Sequence, residues 1–266
     1  MPADENAESI DAQHAAIRRE YRIQADAWGR RPIDAHLAWV VEQAAWDPAY
    51  QVIDVAAGTG LFARAIAARV GSIVAVDLTP EMLTRGRDLA RADGFTNIRF
   101  EQSAAERLPF PDESFDAVVT RYSIHHFRAP ALPLREMARV CRAGGQLVVV
   151  DMVADDDPVV AARHNELERI ADRTHTTVLS PEQLISKIVS AGFVLERYLS
   201  REVDMIFDQW QPHVLPDAPE RKAIRDALEA EIAGRGETGM RPIVRDGVLI
   251  FRHRWGIVIA CRKFVR

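Results

Sequence analysis

Cysteine is nearly absent: Cys141 and Cys261 are the only two in 266 residues. Their spacing fits no metal site, and each lies in an apolar run as a buried residue would. No metal site is expected. Lysine is almost as rare, with Lys187, Lys222 and Lys263 its only examples, and the net charge is −5. The chain has no basic tail or stripe and so lacks the footprint of a phosphate-backbone binder. No nucleic-acid partner is expected. Long hydrophobic runs are missing too; none approaches the roughly 20 apolar residues that cross a bilayer. The N-terminus is acidic and polar, unlike a secretory signal. A cytoplasmic protein without membrane contact, monomeric or homodimeric, is the expectation. What is present is an ordinary globular composition, 48% hydrophobic and 27% charged. The length suits one α/β core with an appendage.

The most informative stretch is Val52-Ile-Asp-Val-Ala-Ala-Gly-Thr-Gly60, an apolar strand ending in a glycine-bearing turn. A second apolar strand follows and ends in Asp77. Glycine lets backbone approach a ligand closely, and an acid at the next strand tip can accept from a ribose diol. Together these describe a nucleoside-shaped site at the carboxyl ends of parallel strands. Gly58-Thr-Gly60-Leu-Phe-Ala63 fits the dinucleotide fingerprint. A nicotinamide-dependent reductase is therefore one reading, although no Tyr-x-x-x-Lys pair supports it.

Three further segments favour another cofactor. Asp54-x-Ala56-x-Gly58-x-Gly60 resembles motif I of the class I S-adenosylmethionine (SAM) methyltransferases. Leu108-Pro-Phe-Pro-Asp-Glu-Ser-Phe-Asp-Ala-Val-Val119 is similar to that family's approach to strand four. Arg139-Val-Cys-Arg-Ala-Gly-Gly-Gln-Leu-Val-Val-Val150 is similar to its turn into strand five. The Leu-Pro-Phe and His-His elements resemble the type 11, ubiquinone/menaquinone-methyltransferase-like branch. The resemblance implies a Rossmann-like, doubly wound sheet of seven strands, mostly parallel with an antiparallel last strand, plus a helical cap. It also implies SAM as cofactor, S-adenosylhomocysteine as product, and a small-molecule acceptor methylated on oxygen or carbon. A protein of this fold that binds SAM without methyl transfer is the alternative.

The pattern along the chain agrees. Apolar positions at helical spacing predict two helices over 10–46, broken near Arg30-Arg-Pro32, after polar, frayed residues 1–9. Strands and helices then alternate: 51–55, helix 60–69, 72–77, helix 80–93, 97–101, 115–120, helix 129–141 and 145–151. Such alternation predicts right-handed crossovers and a parallel sheet. Thr59 and Thr79 are candidate N-caps, Asp155-Asp-Asp157 a solvated helix start over 157–172, and Ser180 the cap of a helix ending at Gly192. Strands follow at 193–200 and 256–263, with a helix at 218–233 between them. The domain reading is a lid over 1–46, a core over 47–200, a cap insertion over 201–246, and a terminal strand over 247–266.

The resemblance assigns cofactor contacts to Asp54, Ala56, Gly58, Gly60, Asp77, Leu78, Met82, Ala104, Ala105 and Arg121. Asp77 would take the ribose, Leu78 an adenine face, and Arg121 would offer its carbonyl. Ala104 stands where the family commonly has an acid for the adenine amino group. Methyl transfer needs no acid for its leaving group, but the acceptor's proton must go somewhere, and histidine suits that task near neutral pH. His125 and His126 follow strand four and are the candidate bases; adjacent positions suggest that at most one faces the acceptor. Trp39, Trp46, Trp210 and Trp255 read as packing residues. Tyr21 and Trp28 are candidates to lie over the cofactor. His164, His175, His213 and His253 line the cap or sit at the surface.

Overall fold

The computed structural model describes residues 3–29, 35–210 and 218–264. Two helices, α1 (Ala3–Gly29) and α2 (Ala35–Gln43), precede the alternating core. Helix α1 begins at Ala3, so the segment expected to fray is helical from its third residue. The expected break at Arg30-Arg-Pro32 lies outside the described residues.

The core runs β1 (Gln51–Val55), α3 (Leu61–Ile66), β2 (Ser72–Asp77), α4 (Pro80–Ala92), β3 (Ile98–Gln102), β4 (Phe115–Arg121), α5 (Ala131–Val140) and β5 (Cys141–Met152). Then come α6 (Pro158–Ala171), α7 (Pro181–Ser190), β6 (Phe193–Ile206), α8 (Ala218–Ile232), β7 (Ile243–Arg245) and β8 (Val248–Arg262). Sheet order is β3-β2-β1-β4-β5-β8-β6. Strands β3 through β5 are parallel, and β8 runs antiparallel between β5 and β6. The seven expected strands are present, with the short β7 paired to β8 as an eighth.

Alternating side chains on a strand point to opposite faces, so a parallel strand covered by helices on both sides is apolar throughout. Ile53, Val74, Val118, Leu147 and Val149 pack with Leu134, Met137 and Ile188 of α5 and α7. Their neighbours Val52, Ile73, Ala117, Val119 and Val148 pack with Leu37, Ile66 and Leu83 of α2, α3 and α4. Cys141 lies in the first of these layers, and burial pushes its thiol up to about 12. Cys261 is only half-buried, contrary to expectation, because β8 ends beside it.

The larger difference lies in the hairpin. β6 continues to Ile206 and β8 begins at Val248, with the ladder unbroken from Arg201↔Trp255 to Ile206↔Ile250. The expected insertion over 201–246 is therefore partly strand. Its alternating charges concealed it: Arg252 pairs across to Asp204 at 3.0 Å and Arg245 to the same carboxylate at 3.1 Å, and opposite charges facing across strands support a ladder. A third apolar cluster covers this extension, formed by Leu167, Phe207, Trp210, Ile224, Leu228 and Phe251.

The helix starts also differ. Ser180 forms a full capping box with Gln183, and Asp157 accepts from Val159 and Val160. Neither Thr59 nor Thr79 caps through its side chain. Their work is done by the strand acids. Asp54 Oδ2 accepts from Ala63 N at 3.0 Å, and Asp77 Oδ1 accepts from Thr79 N at 2.8 Å.

Gly60, the residue before α3, has φ 69°, and an added Cβ would stand 2.8 Å from Phe100 Cε1. Gly60→Ala should therefore lower unfolding stability by about 1–3 kcal/mol, from left-handed strain plus overpacking. Urea denaturation measures this, and an unchanged midpoint would show that Phe100 yields freely.

Candidate active site

In an open α/β sheet, ligands bind outside the carboxyl ends of strands where the order reverses. Here that point lies between β1 and β4, and a cavity opens there. Its floor is the turn after β1 with the tips of β2 and β4. Its roof is α1, through Ile10, Gln13, Ile17 and Tyr21. The far wall is the extended hairpin, through Met205, His253 and Trp255.

Of the residues singled out in the sequence, Ala56, Gly58, Asp77, Leu78, Met82, Ala104, Ala105, Arg121, His125 and His126 all line this cavity. Asp54 and Gly60 do not. Asp54 is 1% exposed and spends its carboxylate on α3; burial pushes its pKa up to about 7, against the Ala63 hydrogen bond. Both act on the turn from behind.

The turn is left-handed at Ala56 (φ 55°) and Gly58 (φ 56°). Space is open where Gly58 would carry a Cβ. Asp77 Oδ2 accepts from Gly58 N at 2.8 Å, which ties the β2 acid to the turn. An open cradle, a half-buried carboxylate on its wall and the apolar flanks Leu78 and Met82 fit a nucleoside with a cationic, anion-seeking end. Ala104 brings no acid, so the adenine amino group has no carboxylate there.

Tyr122, after β4, is a second strained wall residue (φ 55°), and such strain collects at functional sites. The Arg121 guanidinium lies 4.2 Å from the Tyr122 ring centroid and 5.7 Å from that of Trp255. Its side chain as well as its backbone therefore lines the cavity. Trp210 and Trp255, read as packing residues, line it too, whereas Trp39, on α2, and Trp46, just after it, pack against the second apolar layer. The Trp28 side chain and His213 lie outside the described residues.

The histidine pair sits in a single 3-10 turn, Ile124–His126. A turn of this pitch swings adjacent side chains by about a third of a revolution rather than half. Both residues line the cavity. They differ in partners. His125 Nδ1 lies 2.5 Å from Asp151 Oδ1. Asp151 is 1% exposed and also accepts from the backbone N–H groups of Ile124 at 2.7 Å and Met152 at 2.7 Å. Burial alone would lower the His125 pKa; the Asp151 charge and hydrogen bond outweigh it, and the net shift is upward. With Nδ1–H donated to Asp151, Nε2 remains as the ring's proton acceptor.

His126 has the opposite setting. Its Nε2 lies 2.9 Å from the Tyr21 hydroxyl, and its Nδ1 lies 3.1 Å from Thr174 Oγ1. Burial and the neighbouring His125 charge lower its pKa. The neutral ring joins α1 to the segment after α6, where Gln13 Nε2 also donates to the carbonyls of His126 and Thr174. Asp151 was missed in the sequence. It was readable as the acid at the tip of strand five, one residue past the quoted turn-and-strand segment.

Comparison with known proteins agrees with this geometry. A methyltransferase-domain family matches residues 53–149. The uncharacterised methyltransferase YcgJ of Bacillus subtilis is 40% identical over 126 residues, which are 47% of this chain and 50% of YcgJ; the match spans only half of that relative's length. Its crystal structure superposes with a TM-score of 0.78 at 26% identity, covering 87% of this chain and all of that one. The ubiquinone/menaquinone biosynthesis C-methyltransferase UbiE of Methylococcus capsulatus is 30% identical over 213 residues, 77% of this chain and 80% of that protein. The chain belongs to the class I SAM-dependent methyltransferases. The choice of cofactor thus falls to SAM, and the reductase reading falls away. In this methyltransferase no described helix is long and apolar enough to cross a membrane.

Proposed function

We propose that this methyltransferase transfers the methyl group of SAM to a carbon or oxygen of a small, hydroxyl-bearing, partly apolar acceptor, with His125 as general base. The observation that carries the reading is the buried His125–Asp151 pair on the wall of the cavity that also holds Asp77 and the Gly58 turn. When bound, SAM supplies an electrophilic methyl group on a sulfonium. Gly58 gives it backbone room, Asp77 takes the ribose, and Leu78, Met82, Ala104 and Ala105 flank the base, while Asp54 and Gly60 hold the turn. His125 Nε2 accepts the acceptor's hydroxyl proton, and Asp151 keeps the ring in the tautomer that can do so. The resulting oxyanion directs nucleophilicity to its oxygen or to a conjugated ring carbon. His126 positions the roof. Ile17, Tyr21, Met205 and Trp255 supply the mostly apolar wall, which excludes water from the reaction. The UbiE relative's name, a C-methyltransferase, supports carbon as the target.

The test is direct. Incubation with SAM and a panel of phenols, catechols and quinols should yield S-adenosylhomocysteine and a methylated product, both read by mass spectrometry. Turnover confined to amine acceptors would overturn the reading.

The roof also makes a prediction. If residues 1–46 form a lid, amide exchange across Ala3–Gly29 should slow when S-adenosylhomocysteine binds. Exchange equally slow with and without ligand would mark α1 as fixed scaffold.

A further inference from the structure

His164 and Glu168 stand one turn apart on α6 and therefore share a face. His253 reaches the same point from β8, packed against the rings of Phe251 and Trp210 with centroids 5.1 and 6.1 Å away. All three are buried, with 2, 2 and 5% exposure. Glu168 Oε1 lies 2.9 Å from His253 Nε2 and 3.4 Å from His164 Nε2. One ligand atom from each residue fits within a 4.8 Å spread. Donors around a tetrahedral zinc ion, at about 2.0–2.2 Å from it, stand roughly 3.3 Å apart.

Two ring nitrogens and a carboxylate oxygen converge here, and a cation between them would bind all three at once. His164 is the telling member: its Nδ1 has no hydrogen-bond partner and its Nε2 meets only Glu168, at 3.4 Å and poorly aligned, although the side chain is buried. An unsatisfied buried polar group is costly, and a cation at the shared point relieves it at Nε2.

We infer that His164, Glu168 and His253 form a site for a divalent transition-metal ion, zinc in the first instance, with its open position toward the acceptor end of the cavity. Two histidines and one glutamate make a three-ligand set that characteristically leaves a position free. His253 lines the cavity beside Trp210, Trp255 and Met205, away from the Gly58 turn. A second cleft, lined by Asp155, Glu231, Glu237 and Arg241, includes Val160 and Gly239, which pack at His164. Its net negative charge favours cation entry. At the open position the ion binds the acceptor's anionic oxygen and orients it. That role rests on the methyl-transfer reading above; the ion site itself does not.

The experiment uses the full chain, stripped with a chelator and without any acceptor, so its outcome is independent of methyl transfer. Cobalt(II) should give a visible absorption band of low-symmetry coordination at one equivalent, and zinc should displace it. One equivalent of zinc should survive dialysis. Glu168→Gln and His164→Gln, neither of which lines the cavity, should each weaken zinc binding at least tenfold while leaving S-adenosylhomocysteine affinity within about twofold, which also certifies folding; His253→Asn is the reserve variant, read by zinc binding alone. Wild-type protein that retains no zinc and shows no cobalt band would overturn the inference, leaving a hydrogen-bonded His–Glu–His network. Equal zinc retention by wild type and variants would overturn it too, by placing the metal elsewhere.

Discussion

His125→Ala should reduce turnover by about 10²–10³-fold with cofactor affinity retained, the size of effect expected when a positioned general base is removed. Asp151→Asn should cost a comparable factor. Asparagine can no longer stabilise the imidazolium and can fix the wrong tautomer. His126→Ala should instead raise KM with a smaller effect on turnover, since that ring is tied to Tyr21 and Thr174. The pH dependence carries a sign. The base must be neutral to act, and its pKa is raised, so turnover should climb with pH through a value above the ordinary histidine value of about 6.5. Stability should move the other way. The His125–Asp151 pair contributes fully below the unfolded histidine value and is lost as pH rises through the folded one. A turnover profile that is flat across this range in both wild type and His125→Ala would remove His125 from the chemistry.

Asp77→Ala should weaken SAM binding by about 2–4 kcal/mol, or roughly 30- to 1,000-fold, as calorimetry would read it. The carboxylate would be lost from the ribose and also from two backbone amides, those of Gly58 and Thr79. Asp77→Asn separates these parts. One carbonyl oxygen survives to hold the turn, so thermal stability should recover more than affinity does. A dissociation constant unchanged in both variants would move the ribose away from β2.

Much of this was legible because parallel strands buried on both faces are written as apolar runs with acids and glycines at their ends. Val52 to Gly60 and Ile73 to Asp77 need nothing beyond local sequence to be read as strand tips facing a ligand. Side-chain geometry was less legible. Asp54 looks like a cavity residue in one dimension, yet Ala63, nine positions away, claims its oxygen. The histidine pair was placed beside the site by its position after β4, but the different partners of the two rings, Asp151 for one and Tyr21 with Thr174 for the other, show only in three dimensions. Arg201 to Asp204 hid a strand, because the charged residues Arg201, Glu202 and Asp204 stand among its few apolar positions, Val203 and Met205. Asp151 was readable as a strand-tip acid, but its pairing with His125 shows only in three dimensions.

The hairpin that outruns the sheet divides the molecule's evolvability. The segment beyond residue 200 contributes Met205, His253 and Trp255 to the cavity wall, and its own apolar cluster of Phe207, Trp210, Ile224 and Phe251 supports it. The nucleoside end is built on β1, β2 and β4, none of whose residues belongs to this cluster, and Met205 packs against both sides. Acceptor preference can therefore drift by substitution or by exchange of the overhanging arm while the methyl-donor half stays fixed. Chimaeras joined near Ser200 and Gly256, inside the ladder where register is held on both sides, are the natural way to redirect this scaffold toward new acceptors.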